Sequence, residues 1–368
     1  MISNQSQKSG DSSTNIQAQQ MVVHVGIDEK RAREICHEMN LQSRKDFSQE
    51  ALNVANSRVA EFENILMPKM AQVEGALEAF ADPSFQLLLV EAQKAAASTE
   101  RPVDYDLLSE LLMHRFQKGG NRIARAGISL AVEIVDKVSD EALLGLTVGN
   151  AIASTAPLSG NIHEGLNALN DVFGKILYGE LPTGDAWLDH LDVLDAIRIN
   201  PSGVLKKISL YYSEVFPGYF DEGIAKNSIA HERAIEMLKK YGLPQGMLVE
   251  HALNFSFVRI PVVNISDLSE FRLVRQVVNY GRVTCVEEKL SEVQEQAVRD
   301  IYNLYSKDES IKQGNINVFM SELDKRGNLK TIREWWDNIP TCYAVTSVGK
   351  VLAHSNAQRC KDALPSLG

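Results

Sequence analysis

The chain has 368 residues, 44% hydrophobic and 23% charged, and its 38 Lys and Arg against 48 Asp and Glu leave a formal charge of −10. That length suits two or three ordinary domains, and the apolar share is too high for a disordered or collagen-like chain. An acidic total disfavours wholesale nucleic-acid or membrane binding, while permitting one local basic patch.

Four cysteines (Cys36, Cys285, Cys342 and Cys360) are scattered with no CxxC spacing, which fits reduced thiols better than a disulfide framework. The first 20 residues lack an apolar signal core. No uncharged run approaches the ~20 residues that span a bilayer. A cytoplasmic protein without a membrane partner is therefore expected.

Residues 1–27 stand apart, with Lys8 and Asp11 their only charged side chains amid Asn, Gln, Ser and Thr. Gly10-Asp11-Ser12-Ser13 marks a turn. Beyond it, Met21, Val23, Val25 and Ile27 fall on one face of a strand, with Ile16 ahead of them. A two-stranded unit buries too little to be stable alone, and its edge leaves unpaired N–H and C=O groups. One reading is a frayed terminus. The favoured one is a segment that pairs with copies of itself and makes the protein a homo-oligomer, since low charge lets identical strands lie side by side.

From Asp28 the pattern turns helical. Asp28 caps a helix opening at Glu29, and the next carries the stripe Leu52, Ala55, Val59, Phe62 and Leu66, with Pro68 expected to kink or break it. Asp82-Pro83 starts a further helix and Asp104 another, which Gly119-Gly120 ends. Three more helices are predicted at about 121–137, 139–153 and 162–178.

Breaks at Tyr178–Gly184 and Asn200–Gly203 bracket a helix over Asp185–Ile197. A strand is expected near Phe255–Val263, where Pro261 would confine it to a sheet edge. The last third reads as helices near 291–306, 316–326 and 329–338, a strand at Thr341–Val345, and a final helix capped by Thr346 or Ser347. The predicted fold is mainly α, with a short N-terminal β segment, a multi-helix body and a C-terminal mixed domain of winged-helix-like kind. The expected divisions are 1–27, 28–178, 179–283 and 284–368.

No catalytic constellation emerges, and no cofactor is expected. His37-Glu38, His163-Glu164 and His231-Glu232 each lack the second histidine four residues on that a zinc helix requires. Asp185, Asp189 and Asp192 share a helix face, beside His190 and Asp195, and could hold Mg²⁺ or Mn²⁺ for phosphodiester hydrolysis. The same spacing also describes a plain amphipathic helix burying Trp187, Leu188 and Leu191. Ser347-Val348-Gly349-Lys350 lacks the first glycine of a phosphate loop, and neither GxGxxG nor GxSxG occurs. Lys325, Arg326, Lys330 and Arg333 form a basic cluster, diluted by Asp324, Glu334 and Asp337, that could contact nucleic acid. Trp335 and Trp336 beside it suit a helix packing into a core.

The run Asn4-Gln5-Ser6-Gln7-Lys8-Ser9-Gly10-Asp11-Ser12-Ser13-Thr14-Asn15-Ile16-Gln17-Ala18 resembles a cassette at the start of many bacterial proteins, several of them associated with phage-defence loci. Ala81–Gln86 with Glu91–Lys94, Trp187–Asp192 and Val345–Lys350 resemble one uncharacterised bacterial family carrying that cassette. The resemblance implies a defence or regulatory setting and brings no site residues with it. The expectation is a self-associating interaction or scaffold protein. A metal-dependent hydrolase acting through the aspartates and a nucleic-acid-binding regulator acting through the basic cluster are the alternatives.

Overall fold

Asp28 takes the Arg31 amide on its carboxylate at 2.8 Å and opens the first helix, α1 (Glu29–Gln42), against whose positive end Glu29 also sits. The computed structural model describes residues 27–42, 49–118, 121–279 and 282–360, and the side chains of these except 41–42, 274–279 and 282–285. α2 (Gln49–Ala71) buries the expected Ala55, Val59, Phe62 and Leu66. Pro68 does not break it where it stands: the helix runs one turn further and ends at Ala71. Asp82 accepts the Ser84 and Phe85 amides to start α3 (Pro83–Ser98). There follow α4 (Val103–Gln117), α5 (Arg122–Ile134), α6 (Asp140–Ser154) and α7 (Ile162–Ile176), close to their expected bounds.

α8 (Ala186–Val193) is shorter than the helix expected over Asp185–Ile197. Asp195 takes a positive φ of 59°, and Ile197 already belongs to β1 (Ile197–Asn200). Next come α9 (Ile208–Val215), α10 (Pro217–Phe220), β2 (Ile224–Ala225), α11 (Ile229–Lys240), β3 (Val249–Glu250) and β4 (Phe257–Arg259). β4 is the middle strand of the antiparallel order β2-β4-β3, not an edge, because it ends at Arg259 before Pro261 is reached. β5 (Arg272–Asn279) and β6 (Arg282–Lys289) form an antiparallel hairpin that the sequence reading did not separate from its mixed surroundings. α12 (Glu292–Tyr302), α13 (Glu309–Asp324), α14 (Gly327–Trp336), β7 (Cys342–Val345) and α15 (Ser347–Arg359) complete the order. The protein is mainly α.

The C-terminal segment does not fold as a winged-helix unit. β7 pairs with β1, Ile197 opposite Val345, and so draws its partner from far upstream. α15 then packs against α4, α5 and α6 and buries Val348, Leu352, Ala353 and Ala357 together with His354, Ser355 and Asn356. A helix covered on this many sides has no single apolar stripe, which is why its place in the N-terminal core is not written in its periodicity. α13 and α14 contribute Phe319, Leu323, Leu329, Ile332, Trp335 and Trp336 to that same core. α12 instead joins α11, the three-stranded sheet and Leu273 in a second, smaller cluster. The expected boundaries at 178/179 and 283/284 therefore do not coincide with these two cores.

A polar seam joins the clusters. Arg259 is 2% exposed and donates to Gly160 O at 2.8 Å and Val262 O at 2.5 Å, with its guanidinium over the Tyr219 ring. Asp221 receives Lys312 at 3.1 Å and the Tyr302 hydroxyl. Asn315 donates to Phe220 O at 3.0 Å. Such groups are tolerable in an interior because each is hydrogen-bonded, although the Arg259 Nε–H finds no partner among the described residues.

Candidate functional site

A cleft of about 430 Å³ lies between the 179–184 loop, the start of α8 and α14. Its floor exists because α6 presents glycines at 145 and 149. A Cβ on Gly145 would stand 2.7 Å from Pro182 and 2.9 Å from the Trp187 ring, and one on Gly149 would stand 2.3 Å from the Tyr343 hydroxyl. Without those Cβ atoms the aromatic groups settle directly on the helix. The Trp187 and Trp335 ring centres lie 5.8 Å apart, and Tyr343 meets Trp187 edge-on at 6.0 Å.

Both cleft indoles spend their N–H on the loop, Trp187 on Gly184 O at 3.1 Å and Trp335 on Pro182 O at 2.8 Å. The loop is held by these bonds and by Pro182, which is buried. Around the cleft stand Glu180, Thr183, Thr331, Glu334 and Asn338, with Leu181 and Ile339 supplying apolar wall. Glu180 and Glu334 are the charged side chains among the lining residues. The amides of Gly179, Glu180, Leu181 and Thr183 have no hydrogen-bond partner among the described residues.

The aspartates singled out from the sequence are used otherwise. Asp185 and Asp189 are exposed, while Asp192 accepts the Ile199 amide at 3.1 Å and so ties α8 to β1. Asp195 pairs with Arg198 at 2.7 Å, and His190 accepts the Ser139 amide through Nε2 at 3.2 Å. No group of three or more His, Cys, Asp and Glu side chains among the described residues forms a metal-ligand set.

The basic cluster is likewise occupied. Lys325 pairs with Glu322, Lys330 stands 4.0 Å from Glu334, and Arg333 pairs with Asp324 at 2.7 Å. Arg326 is largely buried, donating to Asn167 Oδ1 at 2.8 Å and to Glu322 O at 2.6 Å, which pins the α13–α14 corner to α7. Cations already matched by carboxylates make a poor clamp for phosphates. Ile27 is half-buried against the main core. Ile16, Met21, Val23 and Val25 lie outside the described residues.

Two arrangements escaped the sequence reading. Ser355 Oγ lies 3.0 Å from His114 Nδ1, a nucleophile-and-base spacing, but the serine is wholly buried and the histidine nearly so, so no substrate reaches them. Burial holds His114 below its ordinary pKa, and it lowers His354, in ring contact with His114, to about 4. The cleft was missed because Trp187 and Trp335 read only as apolar positions. The signal that could have found it is the Gly-Pro-Gly punctuation of 179–184, with a tryptophan three residues after Gly184.

A protein-family model whose description reads ":-like" matches residues 26–364. No curated protein and no solved structure matches the chain. No helix among the described residues is long and apolar enough to cross a membrane.

Proposed function

The chain belongs to the family whose model covers residues 26–364, and we propose that it acts as a self-associating cytoplasmic interaction protein. The helical body is the platform, and the leader before it brings copies together. The supporting observation is the contrast at Ile27. From that residue on, the described residues close around their own apolar clusters, and Ile27 itself is seated on the larger one. The residues ahead of it hold a strand-forming face, Met21, Val23 and Val25, in a stretch almost free of charge. A fixed junction and an uncharged, amide-rich strand are what pairing between sister chains needs. The resemblance of the leader to cassettes from phage-defence loci supports a bacterial defence or regulatory setting.

Neither alternative gains a supporting observation. Asp192 is committed to a backbone amide, and the Lys325–Arg333 cluster is matched by carboxylates. Light scattering of the full chain beside a chain lacking residues 1–26 tests the proposal. The full chain is expected at a multiple of its monomer mass and the shortened one at a lower mass; equal masses would remove it.

A further inference from the structure

The cleft over Trp187 and Trp335 is lined by residues outside the leader, and its chemistry holds whether or not the chain self-associates. We infer that it is the docking site for an extended peptide segment carrying a basic side chain.

Three independent features favour that occupant. The first is size and lining. About 430 Å³ lies within the ~300–1,000 Å³ usual for ligand sites, and the floor is aromatic ring with apolar wall from Leu181 and Ile339. Because both indole N–H groups are bonded to Gly184 O and Pro182 O, the floor offers ring surface rather than donors. Ring surface attracts an alkyl stem ending in a cation and gives a carboxylate nothing.

The second is charge. Glu180 and Glu334 line the cleft, and Glu180 has no ion-pair partner among the described residues. Glu334 already has Lys330 at 4.0 Å and Arg333 Nη2 at 3.5 Å, so Glu180 is the lining carboxylate left to receive a cation. A guanidinium or ammonium entering the cleft therefore meets an unmatched carboxylate.

The third is the wall itself. The 179–184 loop is held in place by the two indoles, yet its amides at Gly179, Glu180, Leu181 and Thr183 have no partner among the described residues. A peptide laid along it would take up those of the amides that face it, as in sheet-edge modes of peptide capture, while its side chain fills the pocket.

The test uses the full chain and three blocked peptides, acetyl-valyl-X-valine amide with arginine, norleucine or glutamate as X, followed by calorimetry and by tryptophan emission. The arginyl peptide is expected to bind, the norleucyl peptide more weakly, and the glutamyl peptide not at all. Glu180→Gln, at an exposed position, should weaken the arginyl peptide about three- to five-fold, in keeping with a partly exposed ion pair. N-methylation of the peptide amides should abolish binding, and removal of residues 1–26 should leave it unchanged. Equal binding of the norleucyl peptide, preference for the glutamyl peptide, indifference to N-methylation, or no binding by any of the three would overturn the inference.

Discussion

Replacing Gly149 by alanine should fail to stabilise its helix, and removing one oxygen elsewhere should make the same replacement stabilising. The alanine Cβ would lie 2.3 Å from Tyr343 Oη, 3.6 Å from Cζ and 3.9 Å from the Trp335 ring, so only the hydroxyl is in the way. Inside a helix, alanine is worth about 1 kcal/mol over glycine. Forcing a methyl into a filled space costs about 1–3 kcal/mol. The tyrosine cannot swing aside cheaply, because its ring is set edge-on against Trp187. Gly149→Ala alone should therefore be neutral to about 2 kcal/mol destabilising. Tyr343→Phe removes a buried hydroxyl that has no hydrogen-bond partner, and should itself be neutral or stabilising. In that background the nearest ring atom stands at ordinary contact distance, so Gly149→Ala should now stabilise by about 1 kcal/mol. Urea unfolding of the four chains reads the cycle, with an expected coupling of about 1–3 kcal/mol. If Gly149→Ala costs the same with Tyr343 or Phe at 343, the close approach of α6 to Tyr343 is not what positions the aromatic floor.

Acid should loosen the α4–α15 contact. The unfolded chain takes up a proton on His354 near pH 6.5, and the folded chain only near about 4. Stability from this group is thus fully present above pH 6.5 and is lost as pH falls from there to 4. At about 1.4 kcal/mol per pKa unit the full window amounts to roughly 3 kcal/mol, and His354→Gln should flatten the measured slope of stability against pH. Arg259→Met would leave Gly160 O and Val262 O without their donor, at about 1–3 kcal/mol each, and should lower the midpoint of thermal unfolding. Thr346 accepts the Gly349 amide at 3.1 Å and donates to Asp195 O at 2.6 Å, so Thr346→Ala should cost about 1 kcal/mol and speed amide exchange at the start of α15.

Local signals carried most of the helices. Asp82-Pro83, Asn161 and Thr346 cap where side-chain chemistry says they should, and the stripe through Ala55, Val59, Phe62 and Leu66 is buried as its spacing implies. What could not be read was pairing across the chain. Nothing in Cys342–Val345 says that its partner is Ile197–Asn200, because strand partnership over such separation is set by what the packed helices leave facing each other. Nothing in α15 announces α4, α5 and α6 on its flanks, for an all-round buried helix has no direction in its pattern. The acidic face of α8 shows the opposite hazard. Spacing put three carboxylates on one side, yet Asp192 turned to cap a strand amide that begins only where the helix was expected to continue. The cleft depends on Gly145 and Gly149, whose role is visible only once Trp187, Pro182 and Tyr343 are seen to press against them.

Self-association through the leader can be put to a complementation measurement. One chain carries Val23→Lys and Val25→Lys, the other Val23→Glu and Val25→Glu, and masses are taken by light scattering for each alone and for the mixture. Copies paired side by side would set like charges against one another in each single preparation and opposite charges in the mixture. The account predicts lowered mass for either chain alone and recovery on mixing. Unchanged masses in the single preparations, or a mixture no heavier than its parts, would contradict it.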